Sequence, residues 1–100
     1  MTLKKLIERN SLDPGHGKVV TVEDHPVALF NVSGEYFALD NTCPHRGGSL
    51  GWGKLNGEVV TCPWHGWEFN CRTGEALENP GIKVERFTLC VKEDGIYVEW

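Results

Sequence analysis

The chain has 100 residues, of which 40% are hydrophobic and 24% charged, a composition typical of a single globular domain. Its formal net charge is −4 at pH 7, and the basic residues form no dense run, which argues against a nucleic-acid-binding protein. No apolar stretch approaches the length of a membrane span, and Glu8, Arg9 and Asn10 stand where a signal peptide would be apolar, so we expect a cytoplasmic protein without a membrane anchor.

Short apolar and β-branched segments alternate with turn residues along the chain, at a spacing of about ten residues. The first segment, residues 3–7, fits either a strand or a helical turn, and we assign it to a strand because the rest of the pattern is β. Further strands are predicted at residues 19–22, 27–32, 36–39, 58–61, 68–70, 82–91 and 96–100, with a hairpin turn at Ser33-Gly34. The pattern predicts an antiparallel sandwich or a small barrel.

Two short segments contain four potential metal ligands, CPHRGG at residues 43–48 and CPWHGW at residues 62–67. The ligand order is Cys43-x-His45, sixteen intervening residues, and then Cys62-x-x-His65. Each Cys is followed by Pro and each His has a Gly close behind, which predicts tight loops rather than helix or strand. The first loop, residues 41–53, holds four glycines, whose backbone freedom would let the chain wrap around a bound group.

This arrangement resembles the Rieske iron–sulfur domain, in which one iron is held by two thiolates and the other by two imidazoles. The resemblance extends from about residue 19 to the C-terminus. It implies an all-β, Rieske-type antiparallel β-sandwich with a cluster-binding subdomain made of two Cys/His loops, residues 41–53 and 62–69. It also implies one [2Fe–2S] cluster, and we expect residues 1–100 to form one such domain. The implied ligands are Cys43, His45, Cys62 and His65.

The ligand types decide the charge of such a cluster. Two ferric ions, two sulfides and two thiolates sum to zero, whereas a cluster with four thiolates would carry two negative charges. Because adding an electron to a neutral object costs less Coulomb work, histidine ligation raises the reduction potential. Structural zinc is the main alternative, but common zinc modules use CxxC or HxxxH pairs, and Cys-x-His is shorter than either. Four unrelated loop residues are the remaining interpretation.

Proteins with Rieske domains differ in what else they need. A terminal oxygenase also needs a mononuclear iron site in a large second domain, and only His16 and His25 are left unassigned here. A quinol-oxidising subunit would have a membrane anchor and, in relatives, a loop disulfide at the places that Gly48 and Trp64 occupy.

We therefore predict a monomeric Rieske ferredoxin, an electron carrier rather than an enzyme, between a flavoprotein reductase and a terminal ring-hydroxylating oxygenase. The alternative is the small Rieske-like subunit of an NAD(P)H-dependent nitrite reductase. A third class, a non-redox interaction module, would require the cluster to be absent.

Four residues outside the ligand set are candidates for docking or for shielding the cluster. Trp64 and Trp67 flank a ligand and either exclude water or form an apolar docking surface. Arg46 lies in residues 41–57, which contain no acidic residue, so the tip of the cluster subdomain should be neutral to basic. Pro80 resembles the proline of a segment that covers the cluster in relatives.

The remaining aromatic, histidine and cysteine residues have simpler interpretations. We expect the two other histidines to be exposed turn residues and two further tryptophans to pack in the core or at an edge. Two cysteines are interpreted as reduced thiols, with a disulfide between them as the alternative. These residues are His16 and His25, Trp52 and Trp100, and Cys71 and Cys90.

The second loop also predicts the reduction potential. High-potential relatives carry a Ser hydroxyl two residues after the second His and a Tyr hydroxyl two residues further on, and both donate to sulfur. Trp67 and Phe69 occupy those positions here and have no hydroxyl. We therefore expect a potential near the low end of the Rieske range, roughly −150 to +300 mV.

Overall fold

The computed structural model describes residues 2–43, 48–64 and 66–100 of the chain. These residues contain strands and one turn of 3₁₀-helix at Leu50–Trp52, and no α-helix occurs among them, which agrees with the predicted all-β class. The strands are β1 (Leu3–Glu8), β2 (His16–Val22), β3 (His25–Val32), β4 (Glu35–Asp40), β5 (Lys54–Asn56), β6 (Val59–Thr61), β7 (Glu68–Asn70), β8 (Arg86–Phe87), β9 (Leu89–Lys92) and β10 (Gly95–Glu99).

The strands form three antiparallel sheets. Their orders are β1-β10-β9, β2-β3-β4-β8 and β5-β6-β7. The third sheet belongs to the cluster-binding subdomain, because β6 leads into the second ligand loop and β7 leaves it. The described chain has no helix long and apolar enough to cross a membrane.

Strand β3 lies between two hydrophobic clusters. Val27 and Leu29 pack in the cluster shared with the β1-β10-β9 sheet, whereas Ala28 and Phe30 pack in the cluster shared with the ligand subdomain. Successive side chains of a strand point to opposite faces, so a strand covered on both faces needs consecutive apolar residues. The apolar run in β3 therefore fixes the layering, with the ligand subdomain on one face of the four-stranded sheet.

The hairpin between β3 and β4 has the predicted turn. Ser33 and Gly34 both have positive φ, 52° and 96°, as the preferred two-residue hairpin turns require. The side chain of Asn31 supports this turn, because its amide oxygen accepts the Gly34 N–H at 2.8 Å. The predicted strand at the N-terminus is also confirmed as β1.

Two strand predictions are corrected. Residues 82–91 do not form one continuous strand, because β8 pairs with β4 and β9 pairs with β10 in a different sheet. Residues 82–84 instead contact residues 74–76, which follow β7: the Ile82 carbonyl accepts the Ala76 N–H, and the Val84 N–H donates to the Gly74 carbonyl. Strand β5 was not predicted, since three residues after a glycine-rich segment give too short a pattern.

Several predicted environments are also corrected. His16 and His25 begin strands rather than lie in turns; His16 is exposed, but His25 is half-buried with its Nε2 atom 3.4 Å from an Asp40 carboxylate oxygen. Pairing between β2 and β3 extends both strands to these residues, since His16 lies opposite Asn31 and His25 lies opposite Val22. Trp52 does not pack in the core and is 79% exposed, because the 3₁₀ turn directs it outwards. Trp100 packs at an edge as expected, 5.3 Å from Phe87 between ring centroids.

Candidate metal centre

The first ligand loop begins where β4 ends. The Cys43 N–H donates a 2.8 Å hydrogen bond to the Gly48 carbonyl, and Thr42 forms a bridge with Ser49 just outside it. The loop is thereby closed at its base over residues 43–48.

The second ligand loop connects β6 to β7 and is closed in the same way. The Cys62 N–H donates a 2.7 Å hydrogen bond to the Trp67 carbonyl, and Gly66 has a φ of 73°, a conformation that glycine adopts without strain. In both loops the Cys N–H reaches the carbonyl five residues later. The two loops are therefore closed at the base by the same kind of hydrogen bond.

The loops bring the two cysteine ligands together. Cys43 and Cys62 are each only 1% exposed, and the Cys43 thiol is near enough to Cys62 to raise the pKa of the Cys62 thiol. The loops touch closely, since a Cβ atom added to Gly48 would lie 2.8 Å from the Cys62 Sγ atom. The other two predicted ligands, His45 and His65, lie outside the described residues, as does Arg46.

The environment of the Cys62 sulfur suits a metal-bound thiolate. Burial raises the pKa of the Cys62 thiol, the backbone N–H of Trp64 opposes this by donating to the sulfur, and the Cys43 thiol adds to the rise. Such a thiol keeps its proton until a metal displaces it, because a bound cation deprotonates its thiol ligands outright. Two adjacent buried thiols and an N–H···S hydrogen bond fit the thiolate side of a [2Fe–2S] cluster.

Asn41 holds the base of the first loop and was not predicted as a site residue. Its Oδ1 atom accepts the Gly51 N–H at 2.7 Å, its Nδ2 atom donates to Ser49 Oγ at 2.8 Å, and its carbonyl accepts the Leu50 N–H at 2.8 Å. It is 7% exposed, and Asn31 is the other buried amide side chain of the described chain. The position of Asn41, a polar residue directly between a predicted strand and a glycine-rich loop, was the sequence feature that could have indicated this role.

The two tryptophans near the second loop differ in environment. Trp64 is 57% exposed, whereas Trp67 is half-buried against the core, with its ring centroid 6.4 Å from that of Phe69. Trp67 therefore shields the interior, and Trp64 offers apolar surface. Pro80 is exposed in the loop between Asn79 and Ile82, and its role as a cover for the cluster stays a prediction.

An ion-pair network anchors the third sheet to the β3–β4 hairpin. Arg72 contacts Glu35 at 3.2 Å and Glu58 at 3.1 Å, and its guanidinium lies 4.9 Å from the ring centroid of Phe37. Hydrogen bonds from Asn70 and then Arg72 lower the pKa of Glu58. The network is exposed, so it orients the subdomain more than it stabilises it.

The two cysteines outside the loops are free thiols, in agreement with the preferred interpretation. Cys71 is buried in the same hydrophobic cluster as the ligand thiols, and burial raises its pKa to about 12. Cys90 is half-buried on β9.

Comparisons with known proteins identify the family. The model of the Rieske [2Fe-2S] domain matches residues 2–91. Ferredoxin CarAc of Metapseudomonas resinovorans is 34% identical over 96 residues, which are 94% of this chain and 90% of that protein.

Two solved structures are similar along nearly their whole length. The first is from the complex of reduced oxygenase and oxidized ferredoxin in carbazole 1,9a-dioxygenase, with a TM-score of 0.87 and 34% identity over 96% of this chain and 91% of that chain. The second is assigned as an NADH-dependent nitrite reductase small subunit from Mycobacterium tuberculosis, with a TM-score of 0.87 and 27% identity over 97% and 93%. The ferredoxin relatives agree with the predicted class of electron carrier, and the family confirms the predicted cofactor, a Rieske-type [2Fe–2S] cluster. The chain therefore belongs to the Rieske [2Fe–2S] domain family.

Proposed function

We propose that this chain is a Rieske ferredoxin that transfers one electron at a time from a flavoprotein reductase to the terminal oxygenase of a ring-hydroxylating system. The observation that carries the proposal is the pair of six-residue loops, each closed by the same hydrogen bond, which bring the Cys43 and Cys62 thiols into contact. The similarity to ferredoxin CarAc and to a chain from an oxygenase–ferredoxin complex supports the choice of partner. In this proposal residues 1–100 act as one monomeric domain, with the cluster between loops 41–53 and 62–69.

The order of Cys and His in the two loops assigns a role to each ligand. When the cluster is bound, Cys43 and Cys62 would hold one iron, and His45 and His65 would hold the other. When bound, the cluster supplies a one-electron redox centre. The hydrophobic cluster around the two thiols keeps water from the thiolate side. The backbone N–H of Trp64, which lowers the pKa of the Cys62 thiol, would also favour the more negative reduced state of a bound cluster and so raise its potential.

Electrons enter and leave, in this proposal, at the tip of the two loops. The candidate docking or shielding residues are Trp64, Trp67, Arg46 and Pro80, and the 57% exposure of Trp64 supports a docking role for its ring. Replacement Trp64→Ala should slow electron transfer to the oxygenase while the cluster spectrum stays intact. A wild-type rate and affinity would assign Trp64 to packing alone.

The test of the cluster uses two cysteine variants. The purified protein should show the visible and electron-spin spectra of a Rieske centre, and Cys62→Ser should lose iron and sulfide, because no spare Cys lies in either loop. Cys90→Ser is the matched control, since it removes a half-buried thiol elsewhere and should keep the cluster. Full iron and sulfide with an unchanged spectrum in Cys62→Ser would refute the ligand assignment.

The test of function is electron delivery. Reduced protein should reoxidise on mixing with the oxygenase of carbazole 1,9a-dioxygenase or another ring-hydroxylating oxygenase. The similarity to a nitrite reductase small subunit favours the alternative, a relay in a sirohaem enzyme, as second candidate. Retention of all four predicted ligands in the sequence favours the free carrier. Reoxidation by a sirohaem nitrite reductase and by no oxygenase would select the second candidate.

A further inference from the structure

Trp52 is an exposed indole on a fixed backbone. Its surface is 79% exposed, although Leu50 and Gly51, which precede it, are buried. The Trp52 N–H donates to the Ser49 carbonyl at 3.1 Å, and the Gly53 N–H donates to the Leu50 carbonyl at 2.9 Å. The indole is thus presented to solvent from a hydrogen-bonded turn. Exposed aromatic side chains held in this way are typical anchors of protein–protein interfaces.

The groove beside Trp52 has one cationic side chain, Lys54, together with apolar surface. It lies between the start of β2 and the start of β5. The polar side chains of His16 and Lys54 and the apolar side chain of Leu55 line it, together with glycines. No acidic residue lines it, although the whole protein has a net charge of −4. We call Trp52, His16, Lys54 and Leu55 the Trp52 surface. Because the rest of the protein is acidic, an acidic patch on a partner would be attracted to this surface and held in one orientation.

The Trp52 surface is close to the metal centre. Gly48 approaches Cys62 so closely that an added Cβ atom would lie 2.8 Å from the sulfur. Trp52 follows Gly48 by four residues, and four residues span at most about 14 Å. A partner that covers Trp52 therefore lies within about 14 Å of Gly48, the residue that approaches the Cys62 sulfur.

We propose that the Trp52 surface is a second part of the contact site for the terminal oxygenase, in addition to Trp64, and that it binds an acidic patch with an apolar pocket that accepts the indole. This inference rests on the proposed function. A second copy of the chain is a poorer occupant, because a symmetric dimer contact would set each patch against itself and oppose Lys54 to Lys54.

The experiment measures binding of the cluster-containing protein to the oxygenase component of carbazole 1,9a-dioxygenase by calorimetry. Trp52→Ala should weaken binding about tenfold or more, as expected for an interface anchor. Lys54→Gln should weaken binding less and reduce its salt dependence. The matched controls, Val91→Ala for an exposed apolar residue and Lys92→Gln for an exposed lysine, lie on β9 and should bind like the wild type. The cluster spectrum and midpoint potential should be unchanged in all four variants.

Each contrary outcome points to a specific failure. Wild-type affinity for the oxygenase in both Trp52→Ala and Lys54→Gln overturns the inference. A wild-type dimer that Trp52→Ala converts to monomer, seen by sedimentation, would make the surface a contact between copies. If the reduced wild-type protein delivers electrons to no oxygenase, the proposed function fails as well. Electron delivery with an unaffected Trp52→Ala variant refutes this inference alone.

Discussion

Replacement Asn41→Ala should loosen the first ligand loop without touching a ligand. The Asn41 side chain joins the loop base by hydrogen bonds to the buried Gly51 N–H and to the Ser49 hydroxyl. Both groups lie on the far side of the loop from β4, so the side chain acts as a clamp across its base. We expect the variant to lose its cluster faster than the wild type.

The magnitude follows from these hydrogen bonds. Leaving a buried N–H without a partner costs about 1–3 kcal/mol, and a lost hydrogen bond to a hydroxyl costs about 1 kcal/mol. Asn41→Ala should therefore lower the stability of the loop by about 2–4 kcal/mol. If cluster loss proceeds through opening of this loop, the rate should rise by at least tenfold, because 1.4 kcal/mol corresponds to a factor of ten.

Asn31 provides the matched control. It is the other buried asparagine of the described chain, and it also bridges two segments, donating to the Leu12 carbonyl at 2.7 Å and accepting the Gly34 N–H at 2.8 Å. Asn31→Ala should therefore destabilise the fold by a similar amount at the β3–β4 hairpin, away from the ligand loops. Bleaching of the visible absorption at fixed temperature measures cluster loss, and far-ultraviolet circular dichroism measures unfolding. Equal bleaching rates in the two variants would refute a specific clamp at Asn41.

Three further predictions concern the loops and the thiols. Gly48→Ala should prevent cluster assembly, because its Cβ atom would lie 2.8 Å from the Cys62 sulfur. The control is Gly81→Ala, whose Cβ atom would meet only the side chain of Asn79 and which should keep its iron content. A full cluster in Gly48→Ala would contradict the close approach of the two loops. Iodoacetamide at pH 8 should modify Cys90 and leave Cys71 intact, because burial raises the Cys71 pKa to about 12. Equal labelling of the two cysteines, measured by mass spectrometry, would show that the core around Cys71 opens readily. Potentiometry should give a midpoint near the low end of the roughly −150 to +300 mV range, because the second loop lacks both hydroxyl donors. A midpoint well above zero at neutral pH would show that other groups control the potential.

Sequence patterns predicted the structure correctly where it depends on a few residues that are adjacent in the chain. The Ser33-Gly34 turn was predictable because two-residue hairpins need positive φ at both positions. The C-P loops were predictable because proline and glycine restrict or free the backbone within a few residues. Residues 82–91 were not, because an alternating segment fits one long strand and two short strands in different sheets equally well, and only pairing with β4 and β10 decides between them.

The sequence by itself determined the type of metal site, because the two Cys/His segments specify which ligands are present and how they are spaced. It also determined the apolar run of β3, which requires a layer on each face of the central sheet. Only the tertiary structure decided that Asn41 clamps the loop base and that Trp52 stands in solvent. Both depend on residues from separate segments meeting in space. The burial of a side chain depends on which residues from other segments pack against it, and the hydrophobicity of the residue itself does not specify those neighbours.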